Sequence, residues 1–263
     1  DPADHDHEDK TFLGETGPWS GEDIIDIICK QPATARFIAR KMYDFFVADE
    51  PPVPSWRQSQ PRDLAAINTL EKAYFDSGYE IKAMLQALFT SDFFKSESVH
   101  YAKVKSPAEV VIGTLRMVGH HTSPQPGLFF VAMEPKYMGM DLMNPPTVEG
   151  WHTGAAWINS GTLIDRINFA AGLLGDTGLP GVKSIVGRLM DRSDSIPPEE
   201  FVDGCLDLTG PLTIAEETRS ELVAHVQAGG ELRHGTESER ENFSQRTGEM
   251  LQFIATTSEF QFG

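Results

Sequence analysis

The sequence has few basic residues and no long apolar run, and each of these absences excludes a class of function. Its 263 residues include 22 Lys and Arg against 39 Asp and Glu, which gives a formal net charge of −17 and a pI near 4.8. Nucleic acids and anionic membrane surfaces both attract clustered positive charge, so neither is an expected partner. No apolar run approaches the roughly 20 residues needed to span a bilayer, and no transmembrane segment is predicted.

Cysteine and known catalytic motifs are also scarce. Cys29 and Cys205 both lie in apolar, helix-like patterns, which favours buried thiols, although a disulfide between them stays open if the protein is exported. The sequence has no G-x-S-x-G elbow, no P-loop, no H-E-x-x-H and no Cys-x-x-Cys pair. No catalytic residue is therefore predicted, and the sequence leans against an enzyme.

What the sequence does contain is typical of a helical protein. Apolar residues make up 40% and charged residues 23% of the chain, as in ordinary soluble globular proteins. The apolar residues recur at helical spacing, and no segment alternates convincingly as a strand does. We predict an all-α fold, an irregular domain of about eight or nine helices with long ordered loops rich in Pro and Gly. Residues 1–19 are predicted to be an extended acidic arm and 20–263 a single helical domain, with a subdivision near 175–181 left open.

One predicted helix, 32–48, carries several phenylalanines. Its spacing predicts that Phe45 and Phe46 lie on the core face, while Arg40 lies on the opposite, polar face. A stiff connector with four prolines follows this helix and holds Trp56.

Local chemistry predicts several helix ends. Ser20 and Asp23 resemble a capping box at the start of one helix. Ser106-Pro107 is predicted to open another helix, which ends at Gly119.

The stretch 138–168 is the most distinctive part of the chain, because it holds two of the four tryptophans, a Pro-Pro pair and several glycines. The prolines prevent a helix there, and glycines allow the chain to bend beside each tryptophan. Helical spacing resumes after three candidate N-cap residues, Ser160, Gly161 and Thr162. The pattern predicts a rigid platform of Trp151 and Trp157, with Arg166 beneath it in an ion pair with a carboxylate.

Two groups of residues are candidate ligands for a divalent metal ion. In the arm, carboxylates and imidazoles alternate; around the central loop, a carboxylate–imidazole set suits metal binding or acid–base chemistry. The arm candidates are Asp4, His5, Asp6 and His7, and the loop candidates are Asp141, Glu149, His152 and Asp165. A solvated arm and a structural network of caps and ion pairs are the alternatives, so no cofactor is firmly implied.

The segments 84–93 and 250–260 resemble each other. Each reads as an apolar helix followed by Ser, an acidic residue and Phe. This similarity predicts that the same helix ending is used twice.

Several motifs occur in a fixed order along the chain. They are His5, the segments 10–14 (KTFLG), 31–41 (QPATARFIARK) and 103–107 (KVKSP) with Glu109, Gly139 with Pro145-Pro146 and Gly150-Trp151, Trp157 with Asn159, Arg166 with Asn168, and 258–261 (SEFQ). With these motifs the chain resembles, over nearly its whole length, the carboxy-terminal part of the bacterial family called domain of unknown function 1800.

The resemblance carries expectations of its own. Family members are typically longer at the amino end, which implies that this chain is a fragment or a processed product. Members are often exported and encoded beside a protein resembling the sulfatase and alkaline phosphatase superfamily. The resemblance therefore implies an extracytoplasmic location, in the periplasm or at the cell surface, but no established reaction.

An acidic helical chain without a catalytic signature fits a structural or interaction protein, a subunit of a larger extracytoplasmic assembly. The predicted binding residues are Trp151, His152, Trp157 and Arg166. Expected partners are other protein chains or a missing amino-terminal portion, which would cover the apolar helices 24–48 and 107–118; glycan is a further candidate. A metal-dependent hydrolase-like enzyme and a glycan-binding module that uses the central loop are the alternatives. A purely structural role for both tryptophans also stays open.

Overall fold

The structure is a computed structural model that describes residues 5–121, 123–124, 126–210 and 212–263. The chain divides into two compact units, Asp1–Ala102 and Lys103–Gly263. Within the described residues there are thirteen α-helices and two small two-stranded sheets, and 62% of the chain is helical. The all-α prediction is confirmed, with more helices than the eight or nine expected. Residues 175–181, where the sequence allows a subdivision, lie inside the second unit.

The first unit begins with a hairpin inside the predicted extended arm. Strands β1 (Lys10–Phe12) and β2 (Glu15–Gly17) pair antiparallel. The two residues between them, Leu13 and Gly14, both have positive φ, as a tight type I′ hairpin turn requires. A three-residue strand is too short for alternation to be visible, which is why the sequence pattern missed it.

Five helices complete the first unit. They are α1 (Gly21–Cys29), α2 (Pro32–Phe46), α3 (Leu64–Asp76), α4 (Ile81–Thr90) and α5 (Asp92–Lys95). The predicted capping box of α1 is present, with Ser20 and Asp23 bonded reciprocally. The core of this unit lies between α2, α3 and α4 and is centred on Ile67, Leu70 and Leu88.

Helix α2 faces its core differently from the sequence prediction. Ala35, Ala39 and Tyr43 are buried, whereas Phe45 is 70% exposed and Phe46 is also exposed. The prediction that the two phenylalanines lie in the core is therefore wrong. Arg40, predicted on the polar face, is buried instead. The inward face of the helix therefore includes Arg40 and excludes the two phenylalanines. Their rings pack edge to face on each other at the surface.

The second unit is built from eight helices and one short sheet. The helices are α6 (Pro107–Val118), α7 (Leu128–Tyr137), α8 (Ser160–Leu174), α9 (Pro180–Met190), α10 (Pro198–Thr209), α11 (Glu216–Ala228), α12 (Glu237–Thr256) and α13 (Ser258–Gln261). Strands β3 (Ser195–Ile196) and β4 (Leu232–Arg233) pair antiparallel. The main core packs α8, α9, α10 and α12 around Phe201 and Phe243. Cys205 lies in this core, and both Cys205 and Cys29 are free thiols.

The repeated segments do end their helices in the same way. Ser91 and Thr257 both have extended backbone after a helix, and the hydroxyl of each accepts a hydrogen bond from the N–H of a Phe at the third position of the following short helix. The predicted repeat of the helix ending is confirmed. The second copy, at the junction of α12 and α13, also lines a cleft in the second unit.

Candidate binding surface

Helix α7 presents large aromatic side chains to solvent. Phe129 and Phe130 are each 72% exposed, and Tyr137 is exposed as well. The helix packs on the rest of its unit through Val131, which joins a small core shared with α6, and through Pro135, which is buried. A largely apolar helix with one buried row is unusual at the surface of a monomer, because its remaining apolar area stays in contact with water.

The loop that follows α7 is tied down by Asp141. The Asp141 carboxylate forms an ion pair with Lys136 at 3.0 Å and accepts a hydrogen bond from the Asn144 side chain at 3.2 Å. These two contacts hold the pKa of the Asp141 carboxyl below its usual range. The main-chain carbonyl of Asp141 also accepts the indole N–H of Trp151 at 3.1 Å. One residue thus joins the end of α7, the beginning of the loop and one of the two tryptophans.

The tip of the loop is a tight turn with an apolar residue at its apex. Gly150 N–H donates to the carbonyl of Thr147 at 3.1 Å, and Gly150 has a φ of +100°, which favours glycine. Val148, inside the turn, is fully exposed. We call the apolar side chains of this segment the loop–helix surface; they are Phe129, Phe130, Tyr137, Leu142, Met143 and Val148.

The two tryptophans behind the turn occupy different environments. Trp157 is 5% exposed and ends a short 3₁₀ turn over Gly154–Trp157. Trp151 is half-buried, with its indole N–H engaged by Asp141. His152 is exposed, and its ring lies edge-on to Trp157 with centroids 6.3 Å apart. Trp157 is therefore an anchor of the loop, and Trp151 is the tryptophan that reaches the surface.

The start of α8 fixes the other end of the loop. The N-cap is Asn159, one residue before the three predicted candidates: its side chain accepts hydrogen bonds from the N–H groups of Gly161 and Thr162. Thr162, the third residue of the helix, completes a reciprocal capping box, because its hydroxyl accepts a hydrogen bond from Asn159 N–H. The same hydroxyl donates to the carbonyl of Trp157 at 2.8 Å. The cap thereby attaches the tryptophan anchor to the helix.

We expect Asn159→Ala to lower the free energy of unfolding by about 1 kcal/mol, the typical loss for an N-cap. The change also frees two N–H groups, so amide exchange should accelerate in the first turn of α8. Asn159→Asp keeps the acceptor oxygen and serves as the control. An equal loss in Asn159→Asp and Asn159→Ala would contradict a role for the cap.

Arg166, on α8, does not pair with a carboxylate among the described residues. It is fully buried, and within that part of the chain it donates from Nη2 to the carbonyl of Lys105 at 2.6 Å. Nε and Nη1 have no hydrogen-bonding partner in the described residues. Burial lowers the pKa of the guanidinium, and the negative charge of Glu109 opposes that shift. The predicted ion pair is therefore wrong: Arg166 supports the Lys105 main chain in front of α6.

The candidate metal ligands are dispersed. Across the described part of the chain, no group of three or more His, Cys, Asp or Glu side chains is arranged to hold a metal ion. Asp141 is engaged by Lys136, while Glu149 and Asp165 are exposed. In the arm, Asp6 accepts a hydrogen bond from Glu8 N–H, and the rings of His5 and His7 lie 4.8 Å apart edge to face. Asp4 lies outside the described residues.

Sequence reasoning missed the exposed part of the site because it lies on α7. This helix has apolar residues on several sides and a proline at position 135, so it shows no single apolar face. The signal present was an unbroken apolar run, Leu128 to Met133, in a region otherwise rich in turns.

Comparison with known proteins identifies a family and nothing beyond it. The chain belongs to the family described as "Protein of unknown function (DUF1800)", which matches residues 1–262. No curated protein and no solved structure shows significant similarity to the chain. None of the described helices combines the length and hydropathy that crossing a membrane requires.

Proposed function

We propose that this DUF1800 protein is a binding subunit of a larger extracytoplasmic assembly and that it contacts another protein chain through the loop–helix surface. The observation that carries the proposal is the exposure of Phe129 and Phe130, 72% each, on a helix that buries only one row of side chains. Large aromatic residues are the usual anchors of protein–protein interfaces, and an exposed apolar segment rimmed by polar residues is typical of one.

The rigidity of the loop supports the same proposal. Asp141 joins α7 to the loop, Trp157 is buried behind it, and the Asn159 cap fixes its end. A loop that is already ordered loses little conformational entropy when it binds, so more of the contact energy is available for affinity. Trp151 is tied to the same loop through Asp141, and His152 beside it is exposed, so we include both in the proposed contact with the partner.

General features of the chain support the proposed location and the choice of a protein as the partner. The extracytoplasmic location rests on the resemblance of the chain's motifs to a family whose members are often exported. The net charge of −17 favours a protein partner over nucleic acid. A second row of exposed aromatic residues, at Phe45 and Phe46 in the first unit, provides a matched surface for controls.

The experiment measures the native size of the protein in the extracytoplasmic fraction of the source cells. We expect the wild-type chain to elute in an assembly well above its own 29.1 kDa. The double variant Phe129→Ser/Phe130→Ser should elute as the free chain, because it removes the aromatic anchors from the surface. The purified chain, run alone at the same concentration, distinguishes self-association from binding to another chain.

Phe45→Ser is the matched control, since Phe45 is equally exposed but lies in the first unit. It should leave the assembly intact. Elution of the wild-type chain at its own mass, or retention of the double variant in the assembly, would refute the proposal.

A further inference from the structure

A second feature, independent of the loop–helix surface, is a cleft between α11 and α12. It encloses about 320 Å³, a volume suited to a small organic group. Its aromatic wall is formed by His225 from α11 and Phe253 from α12, whose ring centroids lie 4.3 Å apart. Phe253 is exposed to the cleft and to solvent, so one apolar ring is open to a ligand.

The hydroxyl groups that line the cleft all donate their hydrogens to acceptors within the protein. Thr218 and Ser258 donate to the two oxygens of Glu259, at 3.3 Å and 2.9 Å. Thr256 and Thr257 donate to main-chain carbonyls of α12, at 2.7 Å and 2.8 Å. Each hydroxyl therefore offers only lone pairs to a ligand.

The one carboxylate in the lining adds acceptors of the same kind. Glu221 lies one helical turn before His225 and has no ion-pair or hydrogen-bonding partner in the described residues. Glu259 stands behind the hydroxyls; burial raises its pKa, but hydrogen bonds from Ala215 N–H, Ser258 and Thr218 outweigh that effect and keep it below the usual value. The cleft thus combines negative charge, hydrogen-bond acceptors and an aromatic face.

We propose that this cleft binds a primary alkylammonium group. An ammonium brings three N–H donors and one positive charge, which match the Glu221 carboxylate and the hydroxyl lone pairs. Its alkyl stem packs against Phe253, and the ring face attracts the cation. Anions and groups that only accept hydrogen bonds find few donors there, apart from the His225 ring.

Arg246, a cation in the adjoining cavity, is compatible with ammonium binding in the cleft. Arg246 lines a second cavity that also contains His225. Its guanidinium is held by the carbonyls at the end of α11, at 2.7 Å from Val226, 3.1 Å from Gly229 and 3.0 Å from Gly230. Arg246 therefore serves as a cap for that helix, and its charge is directed at those oxygens.

Isothermal titration of the full chain at about 0.15 M salt tests the proposal, since screening at that ionic strength weakens unspecific attraction to a surface of charge −17. The probes are spermidine and Nα-acetyl-lysine methylamide, which represent a free polyamine and a lysine side chain of another protein. We expect saturable binding of one site per chain, and the tighter probe identifies the source. The same lysine derivative acetylated at Nε lacks the charge and should not bind.

Two variants and one control test whether binding depends on the residues of the cleft. Glu221→Gln should weaken binding about tenfold, the loss expected for one charge-assisted contact. Phe253→Leu should weaken it about two- to fivefold, since the apolar volume stays and only the ring face is lost. Glu217→Gln makes the same charge change on α11 outside the cleft and should have little effect. The proposal is overturned if neither probe saturates, if the acetylated probe binds equally well, or if Glu217→Gln weakens binding as much as Glu221→Gln.

Discussion

Glu50→Ala is expected to lower the free energy of unfolding by about 3–5 kcal/mol, because it leaves a buried guanidinium without its counter-charge. Arg40 and Glu50 are almost completely buried and meet at 2.6 Å. The other Glu50 oxygen accepts the N–H of Arg62 at 2.7 Å, so the carboxylate also fixes the end of the proline-rich connector. Removal of the carboxylate therefore disrupts both the charge pair and the connector.

The same network explains why a simple apolar replacement should not restore stability. Arg40 donates to the carbonyls of Ser59 at 2.9 Å and Gln60 at 3.1 Å, and its guanidinium lies 4.7 Å from the centre of the Trp56 ring. In many proteins a buried ion pair can be exchanged for apolar residues at little cost. Here Arg40→Met/Glu50→Leu would leave the connector carbonyls unpaired, so we expect it to stay well below the wild-type stability.

A more exposed ion pair on the same helix, α2, provides the control. Arg36 and Glu71 join α2 to α3, and Arg36 is half exposed. Glu71→Ala should cost about 1 kcal/mol or less. Urea denaturation gives the free energies, and hydrogen exchange in α2 and α3 assigns the loss to the first unit, since two units need not unfold together. A loss in Glu50→Ala no larger than that in Glu71→Ala would exclude a central role for the buried pair.

The sequence predicts the helices whose ends are fixed by local chemistry. The Ser20 and Ser106 caps, the glycine with positive φ at position 119 and the proline at position 107 lie where the sequence places them. These signals involve residues within four positions of each other, so they can be read without knowledge of the fold.

The sequence does not predict which face of α2 is buried, because that choice depends on a distant partner. Arg40 is drawn inward by Glu50 and by the carbonyls of Ser59 and Gln60, ten to twenty residues away. The spacing of apolar residues along a helix gives no information about such a contact. With Arg40 on the inward face, Phe45 is exposed to solvent. The proposed binding surface shows the same limitation: a spacing that favours neither face of α7 cannot indicate which side chains stay exposed.

The two tryptophans of the central loop were equivalent in the sequence and differ in the structure, which leads to the second large expected effect. Trp157→Ala should lower the free energy of unfolding by about 3–5 kcal/mol, as truncation of a buried large aromatic residue does. Trp157 is 5% exposed, and the helix cap at Thr162 holds its carbonyl at 2.8 Å. The cavity left by the ring would lie directly under the loop, so the loop should lose its fixed conformation as well.

Trp151→Ala is the matched comparison, since the same residue type is removed from the same loop at a half-buried position. It loses one hydrogen bond to the carbonyl of Asp141 and part of its packing, so its loss in stability should be clearly smaller than that of Trp157→Ala. Trp151→Phe, which keeps a ring but not the N–H, should cost about 0.5–1.5 kcal/mol. Denaturation curves and the native-size assay, applied to all three variants, separate anchoring from recognition. If Trp151→Ala folds but leaves the assembly, Trp151 belongs to the binding surface. If it stays in the assembly, binding depends on the phenylalanines of α7 and the tryptophans only hold the loop.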